Sequence, residues 1–382
     1  MSRAGRAAAS PTVAGTVATG AAGAAAARAA YRALRRYPPS GEKTWTRTNH
    51  RGELVTLLEG PAVAVGAITA EVIGAAVTAR LSGRAGAAGP AEGQRQSFSE
   101  RTVGSHASLA MAVAGGGALG FGILDDLAGS GKRRGLKGHL GALAHGEVTT
   151  GSVKLAGLAA TGLAGGLLLG GRRSDVLINA GLIAGGANLL NLFDLRPGRA
   201  VKVAALSAGL IAAGGAGGPD RSAGLAAVAA PLGAGLALLP EDLAERAMLG
   251  DAGANALGAM LGAAAAGSLP RSARAGLLAG IVALTVASEK VSFTKVIEAV
   301  PALRRLDLLG RRPAPPTASV VTATDPATAP AAAGDEADAT RAIRPQGRPA
   351  GRHRRVGSGE DRVRSINWLF GYFFRVLARQ KP

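Results

Sequence analysis

The chain reads as a succession of long apolar runs separated by short charged stretches, closed by a polar segment. About nine runs approach the length needed to cross a hydrocarbon layer, at 11–30, 61–79, 107–124, 155–171, 176–193, 203–218, 222–239, 252–269 and 275–288. Charged residues bunch between the runs instead of recurring every three or four positions, as the wet face of a soluble helix would require. The pattern predicts an all-α polytopic membrane bundle of about nine transmembrane helices within a domain at 1–310. The first run follows Arg3 and Arg6 and reads as an uncleaved first helix, because eight more runs come after it. Past Arg311 the sequence turns to Pro, Ala, Thr and scattered charge, which predicts a disordered cytoplasmic tail over 311–364. Residues 365–382 form a short aromatic amphipathic segment, with Trp368, Phe370, Tyr372, Phe373 and Phe374 beside Arg375, Arg379 and Lys381. It is too short to span and suited to lie on an anionic membrane surface.

Composition supports this picture once it is read by segment. The overall apolar fraction of 47% averages an apolar bundle with a polar tail, and the 58 glycines suit close helix approach in lipid. A formal net charge of +19 could mark nucleic-acid binding, but it divides between loops and tail, so no nucleic-acid partner is expected. Basic residues follow the first run (Arg32, Arg35, Arg36, Lys43, Arg47, Arg51), the third (Lys132, Arg133, Arg134, Lys137), the fifth (Arg196, Arg199, Lys202) and the ninth (Lys290, Lys295, Arg304, Arg305). By the positive-inside bias those exits face the cytoplasm and the amino terminus lies outside. Arg80, Arg84, Arg95 and Arg101 run against that assignment. Cysteine is absent, which removes disulfides, thiolate metal sites and cysteine nucleophiles together.

Acids at membrane boundaries are costly unless they face protein, water or a cation, so their placement carries the chemistry. Asp125 and Asp126 close the third run. Asn188, Asn191 and Asp194 recur every three residues and share one side of a helix at the end of the fifth. Asp251 and Asn255, one helical turn apart, open the eighth. All three clusters fall on the same predicted side, beside Lys132, Lys137, Arg196 and Arg199, a grouping suited to a divalent cation with phosphate groups. A phosphate-cradling loop at Gly129-Ser130-Gly131-Lys132 lacks the required upstream glycine and the following Ser or Thr. His50, His139 and His145 have no partner spacing and read as loop residues.

With these residues laid out, the chain resembles the polyprenyl-phosphate N-acetylhexosamine-1-phosphate transferase family (glycosyltransferase family 4) over roughly residues 45 to 310. Met248-Leu249-Gly250-Asp251-Ala252-Gly253-Ala254-Asn255-Ala256-Leu257-Gly258 is similar to the family's GDxG(S/A)xxLG segment, and Gly122 to Asp126 to its paired-Asp motif. The family's NxxNxxDGxDG run is matched from Asn188 to Asp194, but Pro197 stands at its second Asp, and Arg196 and Arg199 are added. The histidine-rich late loop of the translocase branch has no counterpart in Glu289–Glu298, and a tenth span is not evident.

The resemblance implies transfer of a sugar 1-phosphate, of the GlcNAc type, from a UDP-amino sugar to polyprenyl phosphate, releasing UMP, in cell-envelope glycan synthesis. It implies Mg²⁺, or Mn²⁺ in its place, with Asp194 as principal ligand and Asp125 beside it, and Asp125 or Asp126 as base toward the lipid phosphate. Lys137, Arg196 and Arg199 would contact phosphate, while Asn188, Asn191, Asp251 and Asn255 would line the substrate and nucleotide end. A homodimer is a candidate assembly, and the cell membrane the expected location. Two alternatives remain: a catalytically impaired member acting as an envelope-assembly scaffold, and a small-solute transporter using its intramembrane acids as ion ligands.

Overall fold

A computed structural model describes residues 11–86, 91–128, 149–215 and 223–313. The chain divides after Arg312, and everything described up to that residue belongs to the first unit. The predicted tail, the aromatic segment, Lys132, Lys137, His139 and His145 lie outside the described residues.

The protein is largely helical. Helix α1 (Pro11–Arg36) leads through the short α2 (Glu42–Trp45) into a hairpin of β1 (Thr46–Thr48) and β2 (Leu54–Thr56). There follow α3 (Glu59–Gly86), α4 (Ala91–Ala128), α5 (Thr150–Leu169), α6 (Arg173–Phe193), α7 (Arg199–Gly215), α8 (Ala223–Leu243) and α9 (Gly250–Ser268). Helix α10 (Arg271–Ser288) then bends by 97° into α11 (Phe293–Ala299), which precedes α12 (Pro301–Leu308). Among the described residues, five helices are long and apolar enough to cross a membrane, at Glu59–Val77, His106–Ala128, Thr150–Leu169, Arg173–Phe193 and Gly224–Leu243, or six if the bent pair counts as one span.

The distribution of polarity supports a lipid environment. Leu167, Leu177 and Leu210 on three different helices are 62%, 66% and 74% exposed, whereas Glu59, Asn179 and Asn255 are buried. Water would select the reverse, and hydrocarbon around the bundle accounts for both halves of the observation. Glu71 of α3 is likewise held inside, where it accepts a hydrogen bond from Ser108 Oγ at 2.8 Å.

Helix α9 is the axis of the bundle. It packs against α3, α4, α6 and α8 and touches α5 and α7, so residues 252–266 are all buried. Its weak apolarity follows from that position: a helix wrapped by protein needs small side chains more than lipophilic ones. A Cβ on Gly253 would lie 2.5 Å from Gly60 Cα, and one on Gly186 would lie 2.7 Å from Gly258 O. These backbones touch, which is the use of glycine anticipated from composition.

Local signals set the helix starts. Thr149 caps α5 by accepting the Ser152 backbone N–H at 3.0 Å, while its own N–H donates to Ser152 Oγ at 2.9 Å. The hairpin is bound to the segment before α9: Met248 N–H donates to Thr56 O at 2.9 Å, and Trp45, buried beneath, donates its indole N–H to Pro39 O at 2.8 Å.

Candidate functional site

The antiparallel path of the helices brings the ends of α4, α6 and α8 and the starts of α3, α5 and α9 to one face of the bundle. This places Asp125, Asp126, Asp194 and Asp251 at the same end, and adds Glu59, Lys154, Asp242 and Glu245.

The centre of the assembly is the start of α9. Asp126 accepts the backbone N–H groups of Asp251 at 3.0 Å and Ala252 at 2.9 Å, one on each carboxylate oxygen. A carboxylate there satisfies donors that a helix N-terminus otherwise leaves open and complements its partial positive charge. Gly250 makes the approach possible: its φ is +61°, and a Cβ would sit 2.8 Å from Leu57 Cδ2 and 3.2 Å from both Asp126 oxygens. Arg47 of β1 reaches from the hairpin to the Asp126 carbonyl.

Asp125 and Asp251 are joined by a cation. Lys154 Nζ lies 3.2 Å from Asp125 Oδ2 and 2.5 Å from Asp251 Oδ2, and its side chain is 9% exposed. Three helices are tied together by this triad, whose lysine falls in the first turns of α5.

Asp194 ends α6 as its C-terminal cap, and the like charges of Asp242, Asp251 and Asp126 act on it. It opens on a cavity of about 210 Å³ walled by Thr48, His50, Arg196, Pro197, Asp242 and Glu245 among others. Gly198 follows in a left-handed conformation (φ +70°) and donates its N–H to Asp242 Oδ2 at 2.9 Å. Asp242 therefore fixes the turn that carries Leu195, Arg196 and Pro197. Asn188 and Asn191 are half-buried on the final turns of α6.

The hairpin forms the cavity's outer wall and is held by Glu245. Asn49 Nδ2 donates to Glu245 Oε2 at 2.8 Å, Arg51 Nε lies 2.8 Å from Glu245 Oε1, and Asn49 Oδ1 closes the tip by accepting the N–H groups of Arg51 and Glu53. His50 faces the cavity from this tip. Burial lowers its pKa below the ordinary imidazole value; Glu245 opposes that shift and Arg196, Arg311 and Arg51 add to it.

Arg199 departs from its predicted place. It is 3% exposed and donates through Nε and Nη2 to the two oxygens of Asp307 at 2.7 and 3.1 Å, and through Nη1 to Thr294 Oγ1 at 2.9 Å. Those bonds pin α11 and α12 to the start of α7, and contact with a phosphate would require their release. Asp307 is held below the usual carboxylate range: burial raises it, but the Arg199 hydrogen bonds and the charges of Arg199, Arg311 and Lys202 outweigh that. Arg196, by contrast, lines the cavity.

Two side chains at the site have all of their polar atoms without hydrogen-bond partners among the described residues. Glu59 and Asn255 are both fully buried, and neither the Glu59 carboxylate nor the Asn255 amide is satisfied. Glu59 lies within the fields of Asp242 and Asp194. Sequence reasoning missed Glu59, Lys154, Asp242 and Glu245. For Glu59 and Asp242 the signal was present, since acids at the ends of apolar runs fit the criterion that found Asp125. Lys154 was hidden as a lone cation at the edge of a run.

Among the described residues no three carboxylate or imidazole groups converge closely enough to hold a metal alone. The donor chemistry nevertheless fits Mg²⁺, which is commonly held by one or two carboxylates and completes its shell with water and substrate phosphate. Compared with known proteins, the chain matches no protein-family model and no curated sequence.

Proposed function

We propose that the protein is a multi-pass membrane transferase that moves a sugar 1-phosphate, of the GlcNAc type, from a UDP-amino sugar to polyprenyl phosphate, in cell-envelope glycan synthesis. The observation that carries this reading is the gathering of Asp125, Asp126, Asp194 and Asp251, from three separate helices, with Lys154 at one face of an apolar bundle. In this reading all nine apolar runs cross the membrane, including the Ala/Gly-rich α1, α7 and α9, and the acidic face is cytoplasmic.

An oxygen of the lipid phosphate attacks the sugar-linked phosphorus, the bond from that phosphorus to the UMP oxygen breaks, and UMP departs with the electron pair. A bound Mg²⁺ or Mn²⁺ would neutralise diphosphate charge during this exchange. Asp194 would be its principal holder, with Asp242 lining the same cavity. Asp242 thereby returns to the cavity a carboxylate that Pro197 does not supply. Asp126 orients the start of α9, Lys154 fixes Asp125 and Asp251, and Arg196, which lines the cavity, would meet phosphate there.

Purified protein in detergent should exchange labelled UMP into a UDP-amino sugar only when a divalent cation and polyprenyl phosphate are both present. Nucleotide binding without exchange would instead make it a binding member of the envelope machinery, and ion-coupled solute uptake in proteoliposomes a transporter.

A further inference from the structure

At the C-terminal end of α1, a cavity of about 500 Å³ is lined by Arg28, Tyr31, Arg32, Arg35, Arg36 and Glu241. The four arginines recur at intervals that place them along one side of the last turns of α1. Arg28 lies eight residues before the helix end, about 12 Å along the axis, so the cluster spans the depth of lipid headgroups.

Three features distinguish this cavity from an ordinary basic loop. Arg28, Arg32 and Arg35 form no ion pair among the described residues, although Arg28 is half-buried. The one acid in the lining, Glu241, is paired with Arg246 Nε at 2.7 Å and stands alone against the four arginines of the lining, so positive charge is in excess. Tyr31 lines the cavity at 6% exposure, with its hydroxyl buried and the Arg35 guanidinium beside it, 5.9 Å from the ring centroid. An arginine can only donate to the Tyr31 oxygen, so the hydroxyl proton remains available to an anionic oxygen entering the cradle. Farther from these helix ends, Val17 of α1 and Leu236 of α8 are exposed apolar side chains.

We propose that this cavity binds the phosphate headgroup of an anionic phospholipid, with its acyl chains along α1 and α8. The ligand bears one phosphate charge met by Arg28, Arg32 and Arg35, and its non-bridging oxygen accepts the Tyr31 hydroxyl. The site is independent of the transferase reading, since none of its residues belongs to the acidic cluster.

Native mass spectrometry of the full chain in detergent, titrated with phosphatidylglycerol or phosphatidylcholine, tests the assignment. Each arginine near a membrane surface contributes about fivefold to binding an anionic lipid, so the combined Arg28→Gln, Arg32→Gln, Arg35→Gln variant should lose about a hundredfold in affinity for phosphatidylglycerol. Exposed Arg32→Gln alone should lose about fivefold with folding intact, and Tyr31→Phe should weaken binding of phosphatidylglycerol. Replacing Arg172 and Arg173 at the opposite end should change nothing. Equal binding of the two lipids, or unchanged binding in Arg32→Gln and Tyr31→Phe, would overturn the proposal. Displacement of phosphatidylglycerol by excess inorganic phosphate would overturn its lipid assignment in favour of a soluble phosphate ligand.

Discussion

Replacing Lys154 by Met removes a cation that holds Asp125 and Asp251 together. Breaking a buried ion pair from one side costs about 3–5 kcal/mol, because an uncompensated charge remains. Asp125 and Asp251 are 21% and 26% exposed, so water can reach them and the lower end of that range, about 3 kcal/mol, applies. For a chain of this size each kcal/mol corresponds to about 2 °C, giving a fall in Tm of about 6 °C. The assay is thermal unfolding of the detergent-solubilised protein, run as a double-mutant cycle with Asp251→Asn. Neutralising the aspartate removes the charge that Lys154→Met strands, so the double variant should be more stable than the sum of the single losses by about 1 kcal/mol or more. Strictly additive losses, or a Tm unchanged by Lys154→Met, would refute the view that this lysine locks α4, α5 and α9.

Three further outcomes follow from the same geometry. Gly253→Ala places a Cβ 2.5 Å from Gly60 Cα and should lower stability by about 1–3 kcal/mol in the same unfolding assay, whereas Gly280→Ala, with open space around it, should not. Because Arg199 is committed to Asp307, Asp307→Asn should reproduce the stability loss of Arg199→Gln, and neither should raise the KM for the UDP-sugar more than it lowers Tm-matched kcat; a selective KM effect of Arg199→Gln would return it to the substrate. Pro197→Asp, assayed by UMP exchange, should not raise the rate, since Asp242 already faces the cavity; a large gain would show that the natural site lacks a carboxylate.

Much of the arrangement was legible because each apolar run reverses direction. Alternation alone places the ends of runs three and five and the start of run eight on one face, and Asp125, Asp126, Asp194 and Asp251 do meet there. Gly250 was legible as part of a motif, but its left-handed conformation and the seating of Asp126 on the α9 backbone are tertiary facts. The hairpin at Thr46–Thr56 was not anticipated, because its strands are three residues each and pair partly with Ala247, some two hundred positions away. The engagement of Arg199 with Asp307 was hidden for a related reason. A cation beside an acidic motif reads as a phosphate contact until Asp307, distant in sequence, is seen to take both of its forks. The modest hydropathy of α9 reflects packing, since a helix enclosed by six neighbours is selected for smallness.

The central claim is that carboxylates from α4, α6 and α9 form one phosphoryl-transfer site. The most direct measurement is formation of polyprenyl-diphosphate-sugar from a labelled UDP-amino sugar in proteoliposomes, comparing the natural protein with Asp194→Asn at matched Tm. The account predicts cation-dependent lipid product from the natural protein and none from the variant. Equal product from both, or none from the natural protein with any UDP-amino sugar, would contradict it.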